Sequence, residues 1–324
     1  MALPAQRPAP VPSAPTAPSK MSLASIVRGK QERPIRVVLY GEAGIGKSTF
    51  GSEAPSPIFV GAEDGTSHLD VARFPAPDGW PDILEAVRVL ERDEHGFKTV
   101  VFDTLDWMEP LIWDFICKRD RMENIESYGY QKGQKVVAPG EWRIFLAALE
   151  RVYTRRNMNV IMLAHSHVKE FKNPEGSNYD RWQMKIEPVA AAIIREWSDA
   201  TLFARFETFA QHEESDKKKQ RRAKGFGTDK RIIHAIQTAA YDAKNRYSLP
   251  AEMPLDWATF EAATKARQTG TPDELKAAIR EAIPQIPEKH RAAVEASLEK
   301  AGDDAEKLAK LNAWCNANVP EVQQ

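Results

Sequence analysis

Short apolar runs separated by segments of helical spacing dominate the pattern of this chain. The runs are RVVLY (36–40), PIFVG (57–61), KTVVFDT (98–104), NVIMLAHSHV (159–168) and ATLFARFETF (200–209). Each has the length and the β-branched or aromatic content of a buried strand. Between them, WPDILEAVRVLERD (80–93) and EWRIFLAALERVYTRR (141–156) carry apolar residues at the period of a helix with one buried face. Strand alternating with helix, from the first run to about residue 210, predicts an α/β domain with a mainly parallel sheet flanked by helices.

Two insertions interrupt the alternation. HVKEFKNPEGSNYDRWQMKI (167–186) reads as a hairpin turning at Pro174–Asn178, and QHEESDKKKQRRAKGFGTDKR (211–231) reads as a charged loop. A last strand, RIIHAIQT (231–238), and the segment YDAKNRYSLP (241–250) come next. The end of the chain is rich in Ala, Glu and Lys and is punctuated by Pro284, Pro287 and Gly302. It reads as a small C-terminal bundle of helices. The expected organisation is a Pro/Ala-rich tail over 1–20 that cannot bury enough apolar surface to order, a main α/β domain over 21–265 that opens with a short helix at Met21–Val27, and a helical appendage over 271–324.

Composition narrows the picture only a little. A formal net charge of −1 gives no global pull toward nucleic acid, so any polyanion site must be a local patch. Cys117 and Cys315 are too few and too far apart for a disulfide framework or a thiolate metal site. The start lacks the features of a signal peptide, and no apolar run approaches the roughly 20 residues that span a bilayer. The expectation is a cytoplasmic protein with no membrane partner.

The chemistry lies where the first run breaks. Gly41-Glu42-Ala43-Gly44-Ile45-Gly46-Lys47-Ser48 fits G-x-x-x-x-G-K-[ST] in full, with Thr49 next, between a strand and a helical segment. The glycines let backbone N–H groups converge on phosphate oxygens, and the helix adds its positive end. Lys47 is placed for the β- and γ-phosphates and the Ser48 hydroxyl for Mg2+. The alternative, a glycine-rich turn that holds nothing, sits poorly with the complete pattern in its proper context.

A phosphate loop needs a second acid for the metal. KTVVFDT supplies Asp103 where the strand ends, the Walker B arrangement; the alternative is a cap for the next helix, LDWMEPLIWDFICKRD, a role better suited to Asp106. Glu63 ends the strand after the phosphate-loop helix, so a parallel sheet sets it on the edge that carries Lys47 and Asp103. There it can act on water in line with the γ-phosphate. Asp64 competes with it, and a plain turn acid is the alternative.

A glutamate on this strand, rather than beside the Walker B aspartate, resembles the RecA-type arrangement, and Asp103-Thr104 resembles the Asp-Ser pair of RecA. The resemblance implies a RecA-like P-loop NTPase core and a γ-phosphate sensor at His165, where a buried strand-end histidine is the alternative. It implies that Lys244 and Arg246 reach a neighbouring subunit's γ-phosphate, where a solvated surface pair is the alternative. The order GEAGIGKST, AEDG, VVFDT, MLAHS, YDAKNR resembles phage-encoded RecA-like ATPases, including Sak-type single-strand annealing proteins, over about residues 21–255. That likeness implies ATP and Mg2+ as cofactors and self-assembly as a ring or filament. It also implies a role on single-stranded DNA in phage recombination or replication, with a single-strand-binding protein or a helicase as further partners.

The family reading asks for a DNA path. Lys217, Lys218, Lys219, Arg221, Arg222, Lys224, Lys230 and Arg231 can neutralise phosphates without reading bases, and Phe226 can stack on one. The alternative is a solvated loop partly balanced by HEESD. In ESYGYQKGQKVVAPGEW (126–142), Tyr128, Tyr130, Lys132 and Lys135 suggest a mobile loop facing the centre of an assembly. In the hairpin, Tyr179, Arg181, Gln183 and Lys185 share a candidate DNA or partner face. Two other classes stay open: a nucleotide-gated module such as a helicase loader, and a small-molecule kinase.

Overall fold

A computed structural model describes residues 33–61, 66–212, 223–270 and 272–318, with Met21 and Ile26; the side chains at 208–212, 223–227, 266–269, 305, 306, 316 and 317 lie outside the description. The chain divides into two units, Met1–Gln31 and Glu32–Gln324, and every strand and helix named below belongs to the second. The tail over 1–20, most of the expected helix at Met21–Val27, and Glu63, Asp64, Lys217, Lys218, Lys219, Arg221 and Arg222 lie outside the described residues.

The core elements run in the order β1 (Arg36–Gly41), α1 (Lys47–Ser52), β2 (Pro57–Gly61), β3 (Ala72–Arg73), α2 (Trp80–Arg92), β4 (Thr99–Asp103) and α3 (Leu105–Asp120). Then come α4 (Ala138–Arg155), β5 (Asn159–Phe171), β6 (Tyr179–Met184), α5 (Pro188–Trp197), β7 (Ala200–His212) and β8 (Ala223–His234). Short strands β9 (Lys244–Asn245) and β10 (Glu252–Pro254) precede α6 (Trp257–Thr269), α7 (Pro272–Ala282), α8 (Glu288–Ala301) and α9 (Ala305–Ala317).

The strand order is β10-β8-β7-β1-β5-β4-β2-β3, parallel from β7 to β3, with β8 and β10 antiparallel at one edge. This is the mixed α/β core with a mostly parallel sheet that the periodicity predicts. Val37, Val38, Leu39 and Tyr40 are all fully buried because β1 is central and covered on both faces, which is why its run is continuous rather than alternating. On one face, Phe102 meets Phe145 at 4.9 Å, and Trp80 meets Phe145 at 5.5 Å and Trp142 at 5.9 Å. On the other, Phe50 of α1 packs edge-on against Trp257 and Phe260 of α6. Each such fully buried ring contributes roughly 1.5–3 kcal/mol.

The element α1 lies on one face of the sheet and α2 to α5 on the other, as their separate cores show. From β1 the chain crosses to β2, and β4 and β5 then fill the space back toward β1. From β5 the chain passes to the far side of β1, so the order reverses between β1 and β5. Open α/β sheets bind ligands at such a reversal, beyond the carboxyl ends of the strands.

The 167–186 hairpin forms, β5 pairing with β6 from Ser166↔Met184 to Phe171↔Tyr179. Arg181, expected on an exposed face, is buried, and its guanidinium donates to the carbonyls of Thr238 and Tyr241, both at 3.2 Å. The charged loop is shorter than expected, because Ala223–Arg231 continues β8 against β7. The stretch 126–142 is helical rather than a mobile loop: a 3-10 turn (Ile125–Tyr128) and a π turn (Gly133–Val137) lead into α4.

Helices α7, α8 and α9 enclose their own small core around Leu275, Ile279, Val294, Leu308 and Cys315. Leu308 is fully buried in it, whereas Trp314 lies at the surface against His290. Among the described residues no helix is long and apolar enough to cross a membrane.

Candidate nucleotide site

Register places the candidate residues on one rim. Gly41 at the end of β1 pairs with His165 of β5 and with Ala204 of β7, and Gly61 at the end of β2 pairs with Asp103. Gly41 is required by close approach: a Cβ there would lie 2.3 Å from the Ala204 carbonyl oxygen. Gly44 and Gly46 take φ of 75° and 109°, the left-handed region that glycine enters without strain. Glu42, Ala43 and Ile45 complete the loop, Ile45 buried as its anchor into the core. The helix after the loop is only six residues long. The anion-binding capacity therefore rests on loop N–H groups and Lys47 more than on a helix dipole.

Lys47 is buried, and its ammonium donates to the carbonyls of Glu42 at 2.9 Å and Gly41 at 3.3 Å. A phosphate oxygen is a charged and stronger acceptor than either. The Ser48 hydroxyl donates to Asp103 Oδ2 at 2.6 Å, across the end of the intervening strand β5. Residues 55 positions apart are thereby joined at the mouth of the loop. A hydroxyl and a carboxylate are hard oxygen donors, the set that suits Mg2+. Thr49 stands beside them in the first turn of α1, exposed.

Asp106 does not cap α3; Thr104 occupies that position. The Asp106 carboxylate instead accepts the His165 backbone N–H and pairs with its Nδ1, both at 2.9 Å. Burial would raise this carboxyl, but the side-chain and backbone hydrogen bonds from His165 hold it below the usual range. With the Nδ1 proton facing Asp106, Nε2 is an acceptor in the neutral ring and a donor only in the protonated one. Spacing alone could not have disclosed this pair, whose members are 59 positions apart.

Lys244 and Arg246 are not brought to this rim. Strand β9 pairs with Ala200 and Thr201 at the start of β7, the edge opposite Gly41. The Lys244 ammonium donates to the carbonyls of Arg195, Glu196 and Ser198 at 2.6–2.9 Å, capping the end of α5. Burial, then the Arg246 guanidinium, pushes its pKa down to about 8. Arg246 pairs with Asp199 at 3.2 Å, which also holds Arg36 through two hydrogen bonds of 2.9 Å. A cavity of about 390 Å3 lined by Arg195, Gln237, Lys244 and Arg246 opens at this edge.

Of the DNA candidates, Lys132 and Lys135 are exposed on the helical turns before α4, Lys135 hydrogen-bonded to Gln131. The side chains of Lys224 and Phe226 lie outside the description. Lys230 pairs with Glu207 at 3.2 Å. Arg231, grouped with that basic run by sequence, reaches the phosphate loop, where a Cβ on Gly46 would lie 2.9 Å from its Nη1.

A phosphate loop at the order reversal of a mainly parallel sheet, with a strand-end aspartate hydrogen-bonded to the loop serine, defines a P-loop nucleotide-binding domain. The family model described as an AAA domain matches residues 33–247, and the chain belongs to this family. No curated protein matches the chain significantly. Among solved structures, a RadB recombinase is similar at 14% identity and a TM-score of 0.34, over 53% of this chain and 75% of that one.

Proposed function

We propose that this chain is a RecA-like ATPase that binds ATP with Mg2+, assembles as a homo-oligomer on single-stranded DNA, and promotes strand annealing or pairing in phage recombination or replication. The nucleotide part rests on one observation, the 2.6 Å hydrogen bond that joins Ser48 to Asp103. The DNA part is supported by the sequence resemblance and by the basic run from Lys217 to Lys224.

In this reading, loop N–H groups and Lys47 hold the phosphates and neutralise their charge. Ser48 and Asp103 would hold Mg2+, which when bound would offset charge developing on the phosphoryl oxygens. Glu63, on the chain just beyond the rim residue Gly61, would orient the attacking water. Asp106 would fix the ring of His165 so that only its protonated form donates to a γ-phosphate oxygen.

A second reading, a nucleotide-gated module with little turnover, draws support from Lys244 and Arg246. Both are engaged by their own chain. ATP turnover measured with and without single-stranded DNA divides the two. The proposal expects turnover that rises with DNA and is lost in Arg246→Ala, then restored on mixing that variant with Lys47→Ala. Tight ATP binding with no turnover in either condition would favour the gated module.

A further inference from the structure

The geometry points to Arg231 as a phosphate-binding residue of the nucleotide site, supplied in cis from the antiparallel edge of the sheet. This rests on the nucleotide reading above and adds a residue that neither the motif nor the spacing assigns.

Strand alternation brings Arg231 there. Ile233 and Ala235 belong to the buried core on the α1 face, so Arg231, two and four residues earlier, projects from the same face. It stands in register with Phe206 of β7, one step beyond the Ile233 pairing level with Ala204 and hence with Gly41. At that height Phe206 and Leu255 form the margin of the core, and the Arg231 side chain reaches the phosphate loop. Its Nη1 lies 2.9 Å, and its Cδ 3.9 Å, from where a Cβ on Gly46 would stand, with Leu255 Cδ2 at 3.7 Å on the same site. Gly46 immediately precedes Lys47, so the guanidinium occupies the space beside the backbone that must cradle the phosphates. Any side chain at Gly46 would displace it.

Arg231 is exposed, and among the described residues it makes no ion pair with a carboxylate; its guanidinium stands 5.9 Å from the centroid of the Phe206 ring. The backbone is pinned, since the Arg231 carbonyl accepts from Leu255 N–H at 3.1 Å just before α6. A charged fork on a fixed strand beside an anion loop is matched to phosphate oxygens, which it can bind through two N–H groups at once. The ligand class is the polyphosphate of a nucleoside triphosphate. Arg231 approaches from β8, on the side of β1 away from Asp103, so charge would be neutralised from both flanks.

Equilibrium binding of ATP and of inorganic tripolyphosphate to the full chain tests this, comparing wild type, Arg231→Ala, Arg231→Lys, Lys47→Ala and the charge-matched control Arg88→Ala on α2. The expected result is a loss of about tenfold or more for both ligands in Arg231→Ala, the loss of one charge-assisted contact. Arg231→Lys should recover part of it, and Arg88→Ala should match wild type. Equal binding by wild type and Arg231→Ala while Lys47→Ala is weakened overturns the assignment and leaves the nucleotide site standing. Weakened ATP with unaltered tripolyphosphate puts the guanidinium on base or ribose and also overturns it. No binding by wild type overturns both readings.

Discussion

Lys47→Ala should weaken ATP binding by about 10–100-fold, the loss of a charge-assisted contact to phosphate, and reduce any hydrolysis to background. The ammonium is buried at the loop mouth, where its present acceptors include two neutral carbonyls. Exchanging them for phosphate oxygens strengthens both contacts, and that gain grows as charge accumulates in the transition state. The fold should survive, because the hydrogen bonds to Gly41 and Glu42 are local to the loop and tie no two elements of the sheet together. Equilibrium titration with a fluorescent ATP analogue, beside a thermal melt, measures both effects. A variant that melts like wild type and binds the analogue equally well would remove Lys47 from the site.

The second large effect is expected at Gly41. A methyl group at Gly41 would stand 2.3 Å from the Ala204 carbonyl oxygen and 3.1 Å from its carbonyl carbon. The obstacle is backbone, so no side-chain rotation relieves it. Strands β1 and β7 must separate where the loop begins. Overpacking of this kind costs about 1–3 kcal/mol, and the displaced loop should lose ATP affinity as well. Gly44→Ala is the comparison: nothing lies within 4 Å, and only the φ of 75° resists a side chain, a strain of about 1–2 kcal/mol. Urea denaturation and analogue binding on both variants should show a stability loss in each. Gly41→Ala alone should show a large binding loss. Equal binding by the two variants would mean that the β1–β7 approach does not position the loop.

The parallel strands were legible because a strand buried on both faces must be apolar throughout, as Val37 to Tyr40 and Val100 to Phe102 are. The place of Asp103 at the end of β4 was legible because the apolar run stops there. What escaped depended on partners distant in the chain. Arg181 is buried because carbonyls some 60 positions away and the Asp242 carboxylate receive its guanidinium. Asp106 reads as a helix cap until β5 sets His165 beside it. Polar composition hid the extension of β8, and with it the alternation that turns Arg231 toward the loop. Tyr128 and its neighbours looked loop-like for their glycines, yet the Tyr128 hydroxyl donates to the Ile116 carbonyl at 2.9 Å and ties the turn to α3. The spacing of Lys244 and Arg246 could not show that β9 lies at the rim opposite the phosphate loop of the same chain.

The claim on which the rest depends is that Ser48 and Asp103 together form the seat for the cation that accompanies the triphosphate. Calorimetric titration of ATP into wild type and Asp103→Ala, each with Mg2+ and with EDTA, tests it directly. Mg2+ should tighten ATP binding in wild type, and this increment should disappear in Asp103→Ala. The same Mg2+ increment in both proteins would contradict it.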